Sequence, residues 1–250
     1  MKYFLRQPHN QVSDSYRNWF EPRFPIAIGT QSVPKNTERF FNSMAATKNI
    51  IFDLGGVLLD IDYQKTIVAF QKLGLKDFES MFSQFKADEL FEKLETGHIN
   101  EADFYAAIKK RTELSLTNEQ IEGAWNALIL NFRIDSLEFL EKLSANYKLY
   151  LLSNTNSIHL SYFKKLFTQQ TGKPTLDVYF IKAWYSNEIG LRKPNQDIFE
   201  FVLQEENLQA AETLFIDDTL INIETAQKIG FKTHHLLPTE KTELLEIVFF

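Results

Sequence analysis

Three short apolar runs in this chain each end in polar side chains, and this pattern limits the fold more than any other feature. The runs and their polar ends are residues 50–52 with Asp53, residues 149–152 with Ser153, and residues 214–216 with Asp217 and Asp218. Short apolar runs with polar ends are typical of the buried strands of a parallel sheet. The carboxyl ends of such strands form the ligand crevice of open α/β sheets. The sequence therefore predicts that these polar residues converge at one edge of a sheet.

Strand-like and helix-like segments alternate through most of the chain beyond residue 47. This alternation predicts an α/β fold with a Rossmann-like parallel sheet and right-handed crossovers. After the first strand, strands are predicted at residues 147–152, 178–181, 213–216 and 232–236, and the first and third of these contain the apolar runs described above. Helices are predicted near residues 158–168, 195–206 and 220–229, and Pro194 suits the first turn of the second one.

One long segment, residues 64–145, breaks the alternation because it contains helical patterns and almost no strand signal. Asn100 with Asp103, and Thr117 with Gln120, are typical of capping boxes at helix starts. Gly97 is expected in a turn between two helices. A set of apolar residues at helical spacing predicts one packed face, formed by Ile121, Trp125, Leu128 and Ile129. We interpret this segment as an inserted helical lid over the strand ends, with Trp125 as a packing residue.

Composition and net charge limit the classes of partner that the protein can bind. With 250 residues, 44% of them hydrophobic, the chain is long enough for a substantial core. A net charge of −6 argues against a general nucleic-acid surface, and no apolar run approaches the ~20 residues of a membrane span. The absence of cysteine excludes disulfides and thiolate metal sites. We expect a cytoplasmic protein that binds neither nucleic acid nor membranes; the oligomeric state is not predicted.

The two ends of the chain are harder to interpret. Residues 1–47 contain four prolines and scattered aromatic residues, and no long regular element is expected there. This extension is either a loosely held tail or a docking segment anchored by Trp19 and Phe20. The apolar residues 247–250 are expected to dock on the body or on a partner.

The polar strand ends carry groups suited to phosphate chemistry. Asp53 at a strand end can act as a nucleophile, although a buried aspartate more often caps the next helix. Ser153 and Asn154 precede a helix and can cradle phosphate oxygens, and Lys193 can neutralise charge. Adjacent carboxylates at Asp217 and Asp218 repel each other unless a cation lies beside them. An all-oxygen ligand set favours Mg²⁺.

The strings 52–57 (Phe-Asp-Leu-Gly-Gly-Val), 152–156 (Leu-Ser-Asn-Thr-Asn), 192–194 (Arg-Lys-Pro) and 217–222, in this order, resemble the haloacid dehalogenase (HAD) superfamily. The branch resembled has a helical cap after the first motif and includes bacterial sugar-phosphate phosphatases of the glucose-1-phosphate type. The resemblance runs from about residue 48 to residue 237. It implies an extension at 1–47, a core of residues 48–63 and 146–250, and a cap of residues 64–145.

The resemblance also implies a role for each site residue. Asp53 would attack phosphorus, while Ser153, Asn154 and Lys193 would bind the substrate, Ser153 and Lys193 also taking part in catalysis. Mg²⁺ would be held by Asp53, the Gly55 carbonyl and Asp218. Two further side chains, Asp217 and Asn222, would hold the metal ligands in place.

The chain departs from the family pattern at Gly55. Phosphatases of this family usually carry a second aspartate there, which acts as general acid and base and whose help is typically worth ~10²–10⁴-fold. One explanation is a leaving group good enough to depart without protonation, such as the anomeric oxygen of a sugar 1-phosphate. The others are that another residue, such as His159, Asp60 or Asp62, supplies the proton, or that turnover is weak.

The sequence is compatible with four functions. The first is a Mg²⁺-dependent phosphomonoester hydrolase acting on a small metabolite, most plausibly a sugar phosphate. Asp60, Asp62 and residues 131–133 near the cap hinges either touch this substrate or only shape the hinge. The alternatives are a weakly catalytic binding or regulatory protein, a 2-haloacid dehalogenase and a phosphomutase. The paired Asp217 and Asp218 argue against dehalogenation, which needs no metal.

Overall fold

The computed structural model describes residues 47–83, 86–112 and 114–237. The predicted docking residues Trp19 and Phe20, and the apolar tail at 247–250, lie outside these ranges. No helix within the described ranges has the length and apolar character needed to cross a membrane.

A five-stranded parallel sheet forms the centre of the protein, as the sequence predicts. Its strands are β1 (Asn49–Phe52), β6 (Lys148–Ser153), β7 (Lys182–Tyr185), β8 (Thr213–Asp217) and β9 (Lys232–His235), in the order β7-β6-β1-β8-β9. The central strand β1 pairs in parallel with β6 on one side and with β8 on the other. This order places the ends of β6, β1 and β8 side by side, where the polar residues were expected to meet.

Helices cover both faces of the sheet. The helices that follow the strands are α7 (Ser157–Thr171), α8 (Ser186–Ile189), α9 (Gln196–Glu205) and α10 (Leu220–Ile229). Successive residues of β1 point to opposite sides: Ile50 and Phe52 belong to one buried cluster, and Ile51 belongs to the other. Because both faces are covered, the strands read as continuous apolar runs. The α/β fold class is therefore confirmed.

Between β1 and β6 the chain forms a mainly helical layer. Its helices are α1 (Tyr63–Lys72), α2 (Phe78–Met81), α3 (Glu89–Glu95), α4 (Glu101–Lys110), α5 (Asn118–Asn126) and α6 (Ile134–Leu143). Both predicted capping boxes, at Asn100 and at Thr117, are formed. Trp125 is fully buried and its ring stacks on Phe91 with a centroid distance of 5.2 Å, so it packs as expected. Gly97 lies in the predicted turn with φ +67°.

The segment also contains strands that the sequence did not predict. β2 (Leu59–Ile61) pairs antiparallel with β5 (Ile129–Phe132), and β3 (Phe82–Ser83) pairs with β4 (Lys86–Ala87). The prediction that Leu128 and Ile129 continue the helical face was therefore wrong, because α5 ends at Asn126. The β2–β5 pair joins the segment just before α1 to the segment between α5 and α6. The boundaries assigned to the core and to the cap stay a prediction.

Two further expectations are corrected around β7 and α9. The strand predicted at residues 178–181 is displaced: a 3₁₀ turn occupies Leu176–Tyr179, and β7 begins at Lys182. The apolar residues Val178 and Ile181 that suggested the strand are more than half exposed, whereas Trp184 and Tyr185 are buried in the sheet. Pro194 lies two residues before α9, which begins at Gln196, and not in its first turn.

Candidate active site

Three carboxylates meet at the carboxyl edge of the sheet. Asp53 follows β1, Asp217 is the last residue of β8, and Asp218 comes next. One ligand oxygen from each of the three lies within 4.8 Å of the others. The pairing of β1 with β8 brings them together, because residue 53 directly follows the register pair Phe52 and Ile216.

A buried lysine joins two of these carboxylates. Lys193 Nζ lies 2.8 Å from Asp53 Oδ1 and 2.7 Å from Asp217 Oδ2. The lysine side chain is only 1% exposed. Burial alone would lower the pKa of Lys193, but Asp217 and Asp53 outweigh that effect and raise it. Lys193 is therefore a fixed positive charge in the cluster.

Asp217 is held by several donors and has little capacity left for a ligand. Its Oδ1 accepts hydrogen bonds from the Thr219 backbone N–H at 2.8 Å and from Asn222 Nδ2 at 3.0 Å. Its Oδ2 accepts from Lys193 Nζ, and Asp217 is completely buried. The start of α10 thus brings Asn222 back onto the carboxylate at the end of β8, and Asp217 orients the neighbouring charges.

One ammonium group does not neutralise three carboxylates. Burial raises the pKa of Asp53 to about 7, with Asp217 and Asp218 adding to the effect and Lys193 opposing it. Burial, followed by the charge of Asp217, raises the pKa of Asp218 to about 6. Such shifts show that the ionised forms lack compensating positive charge. The donor set is all oxygen, so the cluster fits a hard divalent cation such as Mg²⁺.

Gly56 lets the loop after β1 approach this cluster. A Cβ atom at Gly56 would lie 2.1 Å from Asp218 Oδ2, and its φ of +73° is in the left-handed region. A larger residue would collide with the Asp218 carboxylate, so the close approach requires glycine here.

The predicted phosphate-binding segment lies beside the cluster. Ser153 ends β6, and both Ser153 and Asn154 line the same cavity as Asp53, Lys193 and Asp218. The Asn154 side chain is bonded to the backbone of Lys193 through both its amide nitrogen and its oxygen. The structure thus brings Ser153 and Asn154 together with Asp53, Lys193 and Asp218 around one cavity. It also gives Asn154 a positioning contact that no local motif indicates.

A cavity of about 650 Å³ opens above these residues. Its floor is formed by the cluster and by Ser153, and much of its wall is apolar. The apolar wall includes Leu59, Ile61, Phe82, Leu128, Ile129 and Phe163. Three polar residues of the wall, Tyr63, Glu92 and Glu95, were not singled out from the sequence, and no local motif signals them. Arg192, which the sequence analysis quoted only within the string 192–194, also lines the wall.

The space beside Gly55 is closed by an apolar side chain. A Cβ atom at Gly55 would lie 3.0 Å from Ile61 Cδ1. Ile61 belongs to β2, which pairs with β5 at the base of the helical layer. Where family phosphatases carry a second carboxylate, this chain therefore has a glycine packed against an isoleucine.

The alternative proton donors are occupied elsewhere. Burial lowers the pKa of His159 to about 3, and its Nδ1 lies 2.9 Å from Asn126 Oδ1. Asp60 Oδ1 accepts from Arg133 Nε at 2.6 Å, and Asp62 Oδ1 accepts from the Gln64 backbone N–H at the start of α1. Asn131 Oδ1 accepts from Gln170 Nε2 at 2.7 Å. The hinge residues thus have local structural contacts.

Comparisons with known proteins agree with this geometry. Residues 47–230 match the family model of haloacid dehalogenase-like hydrolases. The chain is 34% identical over 186 residues to the D-ribitol-5-phosphate phosphatase of Bacteroides thetaiotaomicron, which covers 74% of this chain and 90% of that protein. It is 29% identical over 208 residues to the sesquiterpene phosphatase astK of Aspergillus oryzae, covering 80% of this chain and 96% of that protein.

A solved structure is also similar. It is a HAD family enzyme from Bacteroides thetaiotaomicron, an aspartate-to-alanine mutant in complex with magnesium and inorganic phosphate. The TM-score is 0.75 at 33% identity, with 80% of this chain and 98% of that chain covered.

Proposed function

The chain belongs to the haloacid dehalogenase-like hydrolases and is a phosphatase, and on that premise we propose that Asp53 is its nucleophile and a small sugar phosphate its substrate. The observation that carries this proposal is the bridge from Lys193 to Asp53 and Asp217 beside Asp218. It places a nucleophile, a fixed positive charge and oxygen ligands at the floor of one cavity.

Mg²⁺ is the cofactor that this donor set fits. We propose that Asp53, the Gly55 carbonyl and Asp218 hold the ion, and that Asp217 and Asn222 fix their geometry through the hydrogen bonds described above. The bound ion supplies positive charge to the phosphoryl oxygens and to the carboxylates. The raised pKa values of Asp53 and Asp218 support this assignment, because the carboxylates lack that charge without an ion.

The reaction proceeds by two displacements at phosphorus. An Asp53 carboxylate oxygen forms a bond to phosphorus while the bond from phosphorus to the leaving alcohol oxygen breaks, which gives an acyl phosphate. Water then attacks that phosphorus, its proton is lost to solvent, and phosphate and the Asp53 carboxylate are released. Ser153 and Lys193 bind the phosphoryl oxygens and stabilise the charge that develops on them.

Protonation of the leaving oxygen is not assigned to a side chain. Gly55 has no carboxylate, and the low pKa of His159 keeps its ring in the neutral form near neutral pH, so it is not a general acid. In this proposal the leaving oxygen takes its proton from water in the cavity.

The substrate follows from the relatives and from the cavity. The named relative from Bacteroides thetaiotaomicron supports a sugar or polyol phosphate. A second candidate, an apolar monophosphate, is favoured by the apolar cavity wall and by the sesquiterpene phosphatase relative. Both are phosphomonoesters, and both use the same floor of the cavity.

Phosphate release tests the proposal. Wild type, Asp53→Asn and the surface control Asp135→Asn are assayed with sugar phosphates and p-nitrophenyl phosphate, in Mg²⁺ and in EDTA. We expect Mg²⁺-dependent release by wild type and by Asp135→Asn, and none by Asp53→Asn. A phosphorylated Asp53 peptide after acid quenching would support the intermediate. Undiminished release by folded Asp53→Asn, or halide release from a 2-haloacid without Mg²⁺, would contradict it.

A further inference from the structure

Two polar residues of the cavity wall, Tyr63 and Glu95, can offer hydrogen bonds to a ligand. Tyr63 is the first residue of α1, and Glu95 is the last residue of α3. Both line the cavity above the carboxylate cluster. Among the described residues, none forms a hydrogen bond with the Tyr63 hydroxyl or donates a well-directed one to the Glu95 carboxylate. A cavity wall that offers a hydroxyl donor and a carboxylate with remaining acceptor capacity suits a ligand that can both accept and donate a hydrogen bond.

Glu95 is held in place from two sides. Its backbone carbonyl lies 2.7 Å from Ser186 Oγ, which is also 2.9 Å from the Thr155 carbonyl at the end of β6. Its Oε2 lies 2.9 Å from Arg192 Nη2 in an ion pair, and its side chain is 14% exposed. Glu95 is therefore anchored to the core through Ser186 and to Arg192, and it lines the cavity.

Tyr63 lines the same cavity as Glu95 and the cluster. Burial raises the pKa of Tyr63, and the next largest contributions come from the negative charges of Glu95 and then Asp218. The hydroxyl thus keeps its proton and is a permanent donor in the space above the phosphate site. The Tyr63 ring packs against Phe82 with a centroid distance of 5.8 Å, which fixes its direction.

We infer that Tyr63 and Glu95 bind a hydroxyl group of the substrate's alcohol portion, with Tyr63 donating to its oxygen and Glu95 accepting its hydrogen. A hydroxyl group is both donor and acceptor, so it satisfies the two wall residues at once. The enzyme therefore selects polyhydroxylated monophosphates over alkyl monophosphates of the same length. This inference rests on the proposed phosphatase function and names the residues that determine its specificity.

Matched substrates and variants test the inference. Ribitol 5-phosphate and n-pentyl phosphate have the same number of carbons and differ in hydroxyl groups, and p-nitrophenyl phosphate reports the chemistry alone. We expect wild type to prefer ribitol 5-phosphate by at least about 10²-fold in kcat/KM, because a site with unpaired polar groups rejects the deoxygenated analogue. Tyr63→Phe and Glu95→Met should each lower kcat/KM for ribitol 5-phosphate about ten-fold, mainly through KM. The loss on p-nitrophenyl phosphate, which has no hydroxyl group on its alcohol portion, should be smaller than the loss on ribitol 5-phosphate.

Two control variants separate this role from a structural one. Tyr162→Phe removes a hydroxyl from an exposed tyrosine, and Glu138→Met removes the carboxylate of an exposed glutamate on α6 that does not line the cavity. Both should leave the substrate preference unchanged. Equal kcat/KM values of wild type for ribitol and pentyl phosphates would overturn the inference, as would a loss in Tyr63→Phe that is equal for all substrates. Failure of wild type to release phosphate even from p-nitrophenyl phosphate would overturn the proposed function, and this inference with it.

Discussion

The side chain of Asn154 forms two hydrogen bonds with the backbone of Lys193. Its Nδ2 donates to the Lys193 carbonyl at 2.8 Å, and its Oδ1 accepts from the Lys193 N–H at 2.9 Å. This pair of bonds ties the end of β6 to the loop before α9. The position of the buried ammonium therefore depends on a neighbouring strand end as well as on its own loop.

Replacing Asn154 tests that dependence. Asn154→Ala leaves Lys193 without these contacts, and we expect kcat/KM to fall by up to about 10²-fold through misplacement of the ammonium. The free energy of unfolding should fall by about 1–3 kcal/mol, because two partly buried backbone groups lose their hydrogen-bond partners. Asn131→Ala is the matched control, since Asn131 bonds to Gln170 at the exposed end of β5. Unchanged kinetics in Asn154→Ala, measured with p-nitrophenyl phosphate, would contradict the positioning role.

Lys193 also matters for stability. In Lys193→Met, the carboxylates of Asp53 and Asp217 lose their ammonium partner. We expect the free energy of unfolding in EDTA to drop by about 3–5 kcal/mol, as for other broken buried ion pairs. Added Mg²⁺ should then stabilise the variant more than the wild type, because it meets a larger negative charge. Urea unfolding with and without Mg²⁺ measures both effects.

Lys173→Met serves as the control for the Lys193 experiment. Lys173 pairs with Glu141 at the surface, and its side chain is 38% exposed. Exposed ion pairs contribute only about 0–1 kcal/mol, so this variant should unfold nearly like the wild type in both conditions. An equal response of Lys193→Met and wild type to Mg²⁺ would argue against a cation beside the cluster.

The sequence predicts the floor of the site well because each floor residue follows an apolar strand. Asp53, Ser153 and Asp217 come directly from the ends of three adjacent parallel strands, so local patterning is enough to place them. Tyr63 and Glu95 lie on helices of the inserted layer. Their approach to the cavity depends on how that layer packs on the core, through contacts such as Ser186 with Glu95, which no local pattern encodes.

The misplaced strand has a similar explanation. Val178 and Ile181 have strong strand propensity, but the register of β6 with β7 pairs Tyr150 with Lys182 and places the strand four residues later. Strand propensity depends on packing partners, and burial of Trp184 decides the outcome here.

His159 gives a stability prediction with a definite sign. Its pKa is about 3 in the folded protein, against 6.5 as its ordinary value. Below pH ~6.5 the unfolded chain binds a proton that the folded protein does not, so stability is lost as the pH falls toward 3. The loss from this group is about 1.4 kcal/mol per pH unit, or roughly 2 kcal/mol between neutral pH and pH 5.

Urea unfolding of His159→Gln at both pH values measures this loss. Between neutral pH and pH 5, His159→Gln should not show the additional loss of unfolding free energy that His159 causes. His98→Gln, a control at an exposed histidine, should show the same loss as the wild type. The pH profile of hydrolysis should be the same in wild type and His159→Gln, because the buried ring donates no proton to the leaving group. Disappearance of one limb of that profile in His159→Gln would instead make His159 the missing acid.

The contact between Gly55 and Ile61 gives a test of the missing carboxylate. An added Cβ at Gly55 would lie 3.0 Å from Ile61 Cδ1, so Gly55→Asp alone should be destabilised and gain little activity. Combining Gly55→Asp with Ile61→Ala makes room for the side chain. The quantity to compare is the ratio of kcat/KM for an alkyl phosphate to kcat/KM for p-nitrophenyl phosphate. We expect this ratio to be at least about 10²-fold higher in the double variant than in Ile61→Ala.

That ratio distinguishes the explanations for Gly55. An alkoxide needs a proton to leave, whereas p-nitrophenolate does not, so only an enzyme that lacks an acid should respond selectively to a restored carboxylate. If the ratio is the same in the double variant and in Ile61→Ala, with the double variant folded, the protein already supplies a proton from another group. The general acid would then lie at a position other than residue 55. The polar wall residues Tyr63, Glu95 and Arg192 would be the candidates.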